Sequence, residues 1–469
     1  MSQSYLYRYE TKGIQKWILG GRQLRDLAGG SALVEGLTDV AEAWARRAGA
    51  ESVLQATAGA MTARFPDLQS LETFAGWWPL ALDDWAPGLR VVQAWVPEGE
   101  GLDALHRRLA VRRNVPEVTG FEAGPWVLRT GRSGEHAVPH PIRSEGRSTL
   151  QDAGAVAKER AWELTRRKPG HTTAGLGWDR FVVDVDAWPD GPVAVVHADG
   201  IGIGRALLRV ARDPEGLSRF SVALADVTSE ALGKAVEVLP RRGDRFLARP
   251  IVAAGDDLTY LVPAGSARVF VREWLAAFRA ASASRQDVLG GAMAAGAGIV
   301  TVHRHFPFAQ AYDWAEELCT KAKSAVRELG EGCAGVIAMQ RVTTALAADP
   351  AEGVLGWCLA GDSMPDALDD LVDAVRGLPR GSLRRWLTAI EDGRAEEARK
   401  LWERAREVAR PEVWGRLEQS LLAVGAQPAD GMVSRSGIRV VLLSPGTAAT
   451  PLRDALALAH LEGGAGHDA

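Results

Sequence analysis

The sequence predicts an α+β fold: two βαββαβ units in series, followed by a helical module. Three observations predict it. The order strand, helix, two strands, helix, strand can be read after Ser4 and again after Val193; each copy turns its middle strand pair on a glycine; and after Gln340 the pattern becomes helical with mixed charge.

In the first unit, Ser4 to Tyr9 alternates as a strand, and Arg22 to Arg47 carries Leu24, Leu27, Leu33, Val34, Leu37, Val40, Ala41 and Trp44 at mostly helical spacing. Ser52 to Ala58 and Ala60 to Phe65 read as a strand pair broken at Gly59. Pro66 to Trp77 reads as a helix, Arg90 to Val96 as a strand and Gly101 to Arg113 as a trailing helix. The second unit repeats this order. A strand (193–198) leads through a glycine-rich loop to a helical region (205–239), then strands flank Gly255-Asp256-Asp257. Ala267 to Ala283 reads as a helix, Gly291 to Thr301 as a small-residue strand, Pro307 to Leu329 as a helix and Gly335 to Met339 as a strand. The expected boundaries are 1–114 for the first unit, 115–191 for a connector, 192–340 for the second unit and 341–469 for the helical module. In the connector, Arg129, Arg132, Arg143, Arg147, Arg166, Arg167 and Lys168 read as a solvated surface or as an approach to RNA or triphosphates, with a helix around Ala155 to Arg167. The final module reads as helices near 364–377, 381–391, 394–408 and 411–424, then a β-type run Ile438 to Leu443 and a helix near 451–461.

Composition narrows the function. The 469 residues, 46% hydrophobic and 24% charged, suit a soluble globular chain of roughly two to four domains. A net charge of −4 gives no global pull toward nucleic acid or membrane. Cys319, Cys333 and Cys358 are too scattered for a disulfide framework or zinc site, which fits a reducing cytoplasm, and neither a signal segment nor a membrane-length apolar run is read. His467-Asp468, in a polar tail, does not read as a hydrolase site.

The chemistry concentrates between Val193 and Val262. The apolar run from Val193 leads to Asp199, and Ile251 to Val262 carries Gly255-Asp256-Asp257 between two β-type runs, so three carboxylates can meet at one sheet edge. A hairpin turn alone explains Gly-Asp-Asp; the other reading is that divalent cations, Mg2+ or Mn2+, neutralise the acids and orient a triphosphate. Overlaying the copies favours the second reading. With Tyr7 to Ile14 on Val196 to Ile203, and Thr57 to Thr62 on Ala253 to Leu258, the first copy keeps a turn glycine but has Ala60 and Met61 in place of the two acids. The loop Asp199-Gly200-Ile201-Gly202-Ile203-Gly204 allows phosphates to approach the backbone, a weak signal alone. Lys321 and Lys323 read either as phosphate-binding point charges or as a solvated face with Glu317-to-Lys321 pairing. His303 and His305 read as marking a strand end.

Ile251 to Val262 is similar to the GGDD motif of the CRISPR polymerase family, the large subunit of type III CRISPR effector complexes, with Ala254 in place of the first glycine. Ala297 to Phe308 with the Ala315-Glu316-Glu317 and Lys321-Ala322-Lys323 helix resembles the stretch after that motif. Gly13 to Ile18 and Arg22 to Ser31 resemble the start of the family's first palm, especially in the Cmr-type branch. The resemblance covers residues 5–40 and 193–340, and implies two ferredoxin-like (βαββαβ) palm domains related to nucleotide cyclases. It implies conversion of ATP to cyclic oligoadenylate in the second palm, with Asp199, Asp256 and Asp257 holding two Mg2+ or Mn2+ ions. Gly200, Gly202 and Gly255 would lie near the phosphates, and Lys321 or Lys323 would neutralise them. It further implies guide and target RNA as partners within a multi-subunit complex, small helical subunits on the C-terminal domain, and no membrane. No HD nuclease domain and no zinc-binding cysteine cluster are read, so a compact member is expected. The alternatives are a scaffold that binds RNA and subunits, with a vestigial or regulatory nucleotide site, and a nucleotide-cyclase-like enzyme.

Overall fold

Tyr7, Phe65, Phe74 and Trp78 meet edge-on and stacked in the first core, with Tyr7 to Phe74 ring centroids 5.1 Å apart and Phe74 to Trp78 5.7 Å apart. These rings hold helices to one face of a four-stranded sheet. The fold is given by a computed structural model describing residues 3–20, 24–57, 59–115, 127–130, 135–144, 147–167, 172–173, 176–210, 213–254, 256–329, 333–342, 355–360, 366–378, 385–386, 388–389 and 394–423.

The first palm comprises β1 (Tyr5–Lys12), α1 (Ile14–Leu19), α2 (Leu24–Arg47), β2 (Ser52–Thr57), β3 (Ala60–Phe65), α3 (Leu68–Trp85), β4 (Arg90–Pro97) and α4 (Gly101–Arg113). Its strand order is β2-β3-β1-β4, all neighbours antiparallel, as βαββαβ requires. Alternation along β1 sends Tyr7 and Tyr9 toward α2 and α3, and Leu6 toward α4. Asp67 caps α3 by accepting from the Ser70 amide at 2.8 Å.

The connector adds a hairpin of β5 (Val138–Ser144) and β6 (Arg147–Gln151), then α5 (Ala153–Arg167), which packs on α2. Short pairs β7 (Thr172–Thr173) with β8 (Leu176–Gly177), and later β10 (Arg241–Arg242) with β11 (Arg245–Phe246), decorate the second palm. That palm is built from β9 (Val193–Ile201), α6 (Ile203–Val210), α7 (Pro214–Ala235), β12 (Arg249–Ala254), β13 (Asp257–Pro263), α8 (Ala264–Ala283), a single turn α9 (Gln286–Leu289), β14 (Ala294–Val302), α10 (Phe308–Leu329), β15 (Cys333–Arg341) and β16 (Leu355–Ala360). Asp213 caps α7 ahead of Pro214, which breaks the expected 205–239 helix in two.

The second sheet has the order β12-β13-β9-β14-β15-β16. Its first four strands repeat the first palm's arrangement, β15 joins parallel to β14 through α10, and β16 closes the edge antiparallel. Leu355–Ala360 therefore extends this sheet, although the sequence reading placed it among the C-terminal helices. Helices α7 and α8 cover one face and α10 the other. Beyond the sheet lie α11 (Asp366–Arg376) and two helices, Ala395–Val408 and Pro411–Ala423, close to the spans expected. Trp386, Trp402 and Trp414 join them to the second palm's core, with ring centroids 5.2 and 4.7 Å apart. The Ile438 to Leu443 run, the helix near 451–461 and His467 fall outside the described residues, as does most of 381–391.

The palms pack reciprocally: α2 lies on β12, and α7 lies on β2. Ile251, fully buried, belongs to the first palm's core although it sits in the second palm's sheet. The Gln55 side-chain amide reaches the Ser221 hydroxyl at 3.3 Å across the same seam. Among the described residues no helix is long and apolar enough to cross a membrane.

Candidate active site

Asp199, two residues before the end of β9, pairs in register with Asp257, the first residue of β13. Ala254 pairs with Asp257 across the hairpin, leaving Gly255-Asp256 as its two-residue loop. Ala254 is thus an extended strand residue, so the missing first glycine demands no left-handed backbone there. Gly255 lies outside the described residues.

The three acids lie near one another at this edge. The Asp256 carboxyl hydrogen-bonds to Asp199, a contact between two acids that requires a proton or a cation. Burial first, then the hydrogen bond and charge of Asp199, push Asp256 up to about 8. Burial likewise pushes Asp257 up to about 7, against the hydrogen bond from Gln15. The Gln15 amide donates to Asp257 Oδ2 at 2.7 Å, from α1 of the other palm. His197 Nδ1 lies 3.4 Å from Asp257 Oδ1, but its hydrogen bond goes to Thr259 Oγ1 at 3.0 Å. Burial lowers the His197 pKa and keeps the ring neutral, so this contact is not an ion pair. Asp257 Oδ1 accordingly has no hydrogen-bond donor among the described residues.

Lys323, on α10, places Nζ 2.5 Å from Asp199 Oδ2. Lys321 points elsewhere and pairs with Glu317 one turn back, at 2.9 Å. Of the two lysines, only Lys323 reaches the acids. Gly202 precedes α6 with φ 83°, just as Gly13 precedes α1 with φ 63°, so both copies use a left-handed residue to start the helix after the first strand. At Gly200 a Cβ would lie 2.9 Å from the Asp256 Cβ and 2.6 Å from Ile203 Cδ1; its bare backbone is what lets Asp256 fold over the end of β9. His303 and His305 follow the end of β14, remote from the acids.

Beside Asp257 a cavity of about 720 Å³ opens between the palms. Gln15, Lys16 and Glu35 line it from the first palm, and Val252, Tyr312 and Glu316 from the second. Burial and the nearby Asp39 push Glu35 up to about 7. The sequence reading missed Gln15, Glu35 and Tyr312, although Gln15 lies inside a stretch that carried the family resemblance.

The register corrects the overlay of the two copies by one residue around the hairpin. Glu10 faces Ala60 as Asp199 faces Asp257, and Thr57 faces Ala60 as Ala254 faces Asp257. Asp256 and Asp257 therefore correspond to Gly59 and Ala60, not to Ala60 and Met61, and Asp199 to Glu10. Arg8 binds Glu10 Oε1 at 3.0 and 3.1 Å, and Arg113 from α4 binds Oε2, so guanidinium groups hold the acid left in the first copy.

Among the described residues no group of three or more histidines, cysteines and acids is arranged as a ready metal cage. The donor set nevertheless suits a hard divalent cation: Asp199 and Asp256 lie side by side, and Asp257 has a buried carboxylate oxygen without a donor.

A family model described as the Cas10/Cmr2 second palm domain matches residues 192–328. A crystal structure of the Csm1–Csm4 cassette in complex with cA4 is similar in fold, with TM-score 0.57 and 13% identity over 98% of this chain and 70% of that chain. The cassette in complex with pppApApA gives TM-score 0.56 and 13% identity over 98% and 69%. Against the cassette in complex with AMPPNP the chain spans only about half of its counterpart: TM-score 0.46, 16% identity, 69% of this chain and 53% of that chain. No curated protein matches the sequence. Residues 192–328, which carry the paired acids, are thus similar to the second palm domain of the Cas10/Cmr2 family.

Proposed function

We propose that the protein is a nucleotidyltransferase of a type III CRISPR or related antiviral defence system, converting ATP to cyclic oligoadenylate in its second palm. The observation that carries this reading is the meeting of Asp199, Asp256 and Asp257 beside a cavity walled by both palms. Solved Csm1–Csm4 cassettes of the same fold, in complex with cA4 and pppApApA, support it. Asp199, Asp256 and Asp257 would hold Mg2+ or Mn2+, which when bound supplies positive charge to orient and polarise the triphosphate. In the reaction the 3′-hydroxyl of one nucleotide forms a bond to the α-phosphorus of another and pyrophosphate leaves; ring closure is the same step within one chain.

The protein's own groups bind and orient. Lys323 places its charge at the acid edge, where it can pass from Asp199 to a phosphate oxygen. Gln15 fixes the Asp257 carboxylate, so the first palm completes the site. Gly202 leaves open space beside the backbone ahead of α6 where phosphates would approach, while the space at Gly200 is taken by Asp256. The apolar side of the cavity, Ile14, Ile18 and Val252, excludes water from one wall.

The test is product analysis with all four nucleoside triphosphates and Mn2+, with RNA-bound partner subunits added. Oligoadenylates from the parent and none from the Asp256→Asn, Asp257→Asn double variant are expected; undiminished synthesis by the double variant would falsify the site assignment. The ready-made cage lacking among the described residues favours a second reading, a scaffold with a regulatory nucleotide site. Nucleotide binding without turnover in the presence of every partner selects it, and a product with the mass of a cyclic mononucleotide or dinucleotide selects a cyclase-like enzyme.

A further inference from the structure

At the opposite end of the second sheet, a cavity of about 640 Å³ is lined by basic side chains. The start of β9 meets the end of β14, with Val193 opposite Val302, and Thr301 pairs with Arg341 at the end of β15. Along β9 this floor lies roughly 20 Å from Asp199, at about 3.3 Å per residue. Its walls carry His303, Arg304, His305 and Arg341, and its one acid is Asp190.

The basic groups are partly pre-positioned. Arg304 donates to the Pro189 carbonyl at 2.5 Å and lies 3.6 Å from Asp190, with only 12% of its side chain exposed. The His305 amide donates to His303 Nδ1 at 3.3 Å, which leaves Nε2 as the ring's N–H donor. The two imidazoles lie 5.4 Å apart and both residues are exposed. Among the described residues Arg341 is exposed and takes part in no ion pair. A basin of two guanidiniums and two imidazoles, in a chain of net charge −4, attracts phosphate groups. Exposed imidazole faces also suit stacking on unpaired bases, which inorganic phosphate would not exploit.

We infer that this basin binds the phosphate backbone of single-stranded RNA, at a place separate from the interpalm cavity. The claim goes beyond the nucleotidyl transfer proposed above and does not need it.

Fluorescence anisotropy of a short labelled single-stranded RNA with the full chain at low salt tests it. Arg341→Glu should weaken binding roughly tenfold and reduce the slope of log affinity against log salt by about one or two. His305→Ala, at an exposed place that tests the basin without reversing a charge, should weaken it by roughly threefold. The Asp256→Asn, Asp257→Asn double variant should bind RNA as the parent does, which keeps this test distinct from that of catalysis. Parental affinity in both basin variants overturns the proposal, as does absence of RNA binding by the parent. Loss of RNA binding in the double aspartate variant overturns it too, by placing the RNA between the palms. Displacement of the RNA by ATP or inorganic phosphate as readily as by unlabelled RNA would assign the basin to small phosphates instead.

Discussion

Asp256 and Asp257 store the cost of an unneutralised acid cluster. Both carboxyls, with Glu35 nearby, are shifted upward chiefly by burial. An acid whose folded pKa exceeds its unfolded value near 4 binds more protons when folded, so between about pH 4 and pH 8 stability falls as pH rises. In metal-free buffer the melting temperature should drop across that window, and Asp256→Asn should flatten the drop. A steeper fall in that variant contradicts the burial account. Mn2+ should stabilise the parent more at pH 8 than at pH 5, because a proton competes for the same oxygens. The lysines separate cleanly. Lys323→Ala, removing the cation beside Asp199, should lower kcat/KM for ATP by roughly ten- to a hundredfold, whereas Lys321→Ala, whose partner is Glu317, should change it less than about twofold. Equal losses in both variants would show that Lys323 has no special role.

The β12–β13 hairpin and the start of β9 work as one piece because Gly200 leaves room for Asp256. Gly200→Ala puts a methyl 2.9 Å from the Asp256 Cβ, which should cost about 1–3 kcal/mol and displace the loop. Denaturant unfolding and nucleotidyl transfer should both report the loss; an alanine variant as stable and active as the parent removes Gly200 from the site. Much of this element was legible in the sequence. Short apolar, β-type runs placed the strands, and acids at their ends placed the chemistry, because both are local patterns. The loop register was not. Aligning glycine with glycine misplaced the copies by one residue, since Gly59, with φ 96°, occupies the loop position where the second copy has Asp256. Gln15 escaped for another reason: its partner Asp257 is 242 residues away, and no local spacing records that meeting. Strand β16 was hidden in a short apolar run whose only distinguishing mark is that it finds an edge on β15.

At the scale of the molecule, the reciprocal packing of α2 on β12 and α7 on β2 should make the palms unfold as one unit. Ile251, a second-palm residue in the first palm's core, is the sharpest probe: Ile251→Ala should cost about 2–5 kcal/mol. The loss should appear in a single calorimetric transition of both palms, and two separated transitions, with only one displaced, would show that the seam does not couple them. The acids differ between the halves. Glu10 is held by Arg8 and Arg113, while its counterpart Asp199 faces Asp256, Asp257 and one lysine. The Gln15 to Asp257 contact turns this asymmetry into dependence. A gene trimmed to the later half would keep every acid yet lose one wall of the chamber and the amide that aims Asp257, so the first palm, though its own hairpin carries no acid pair, cannot be discarded by deletion.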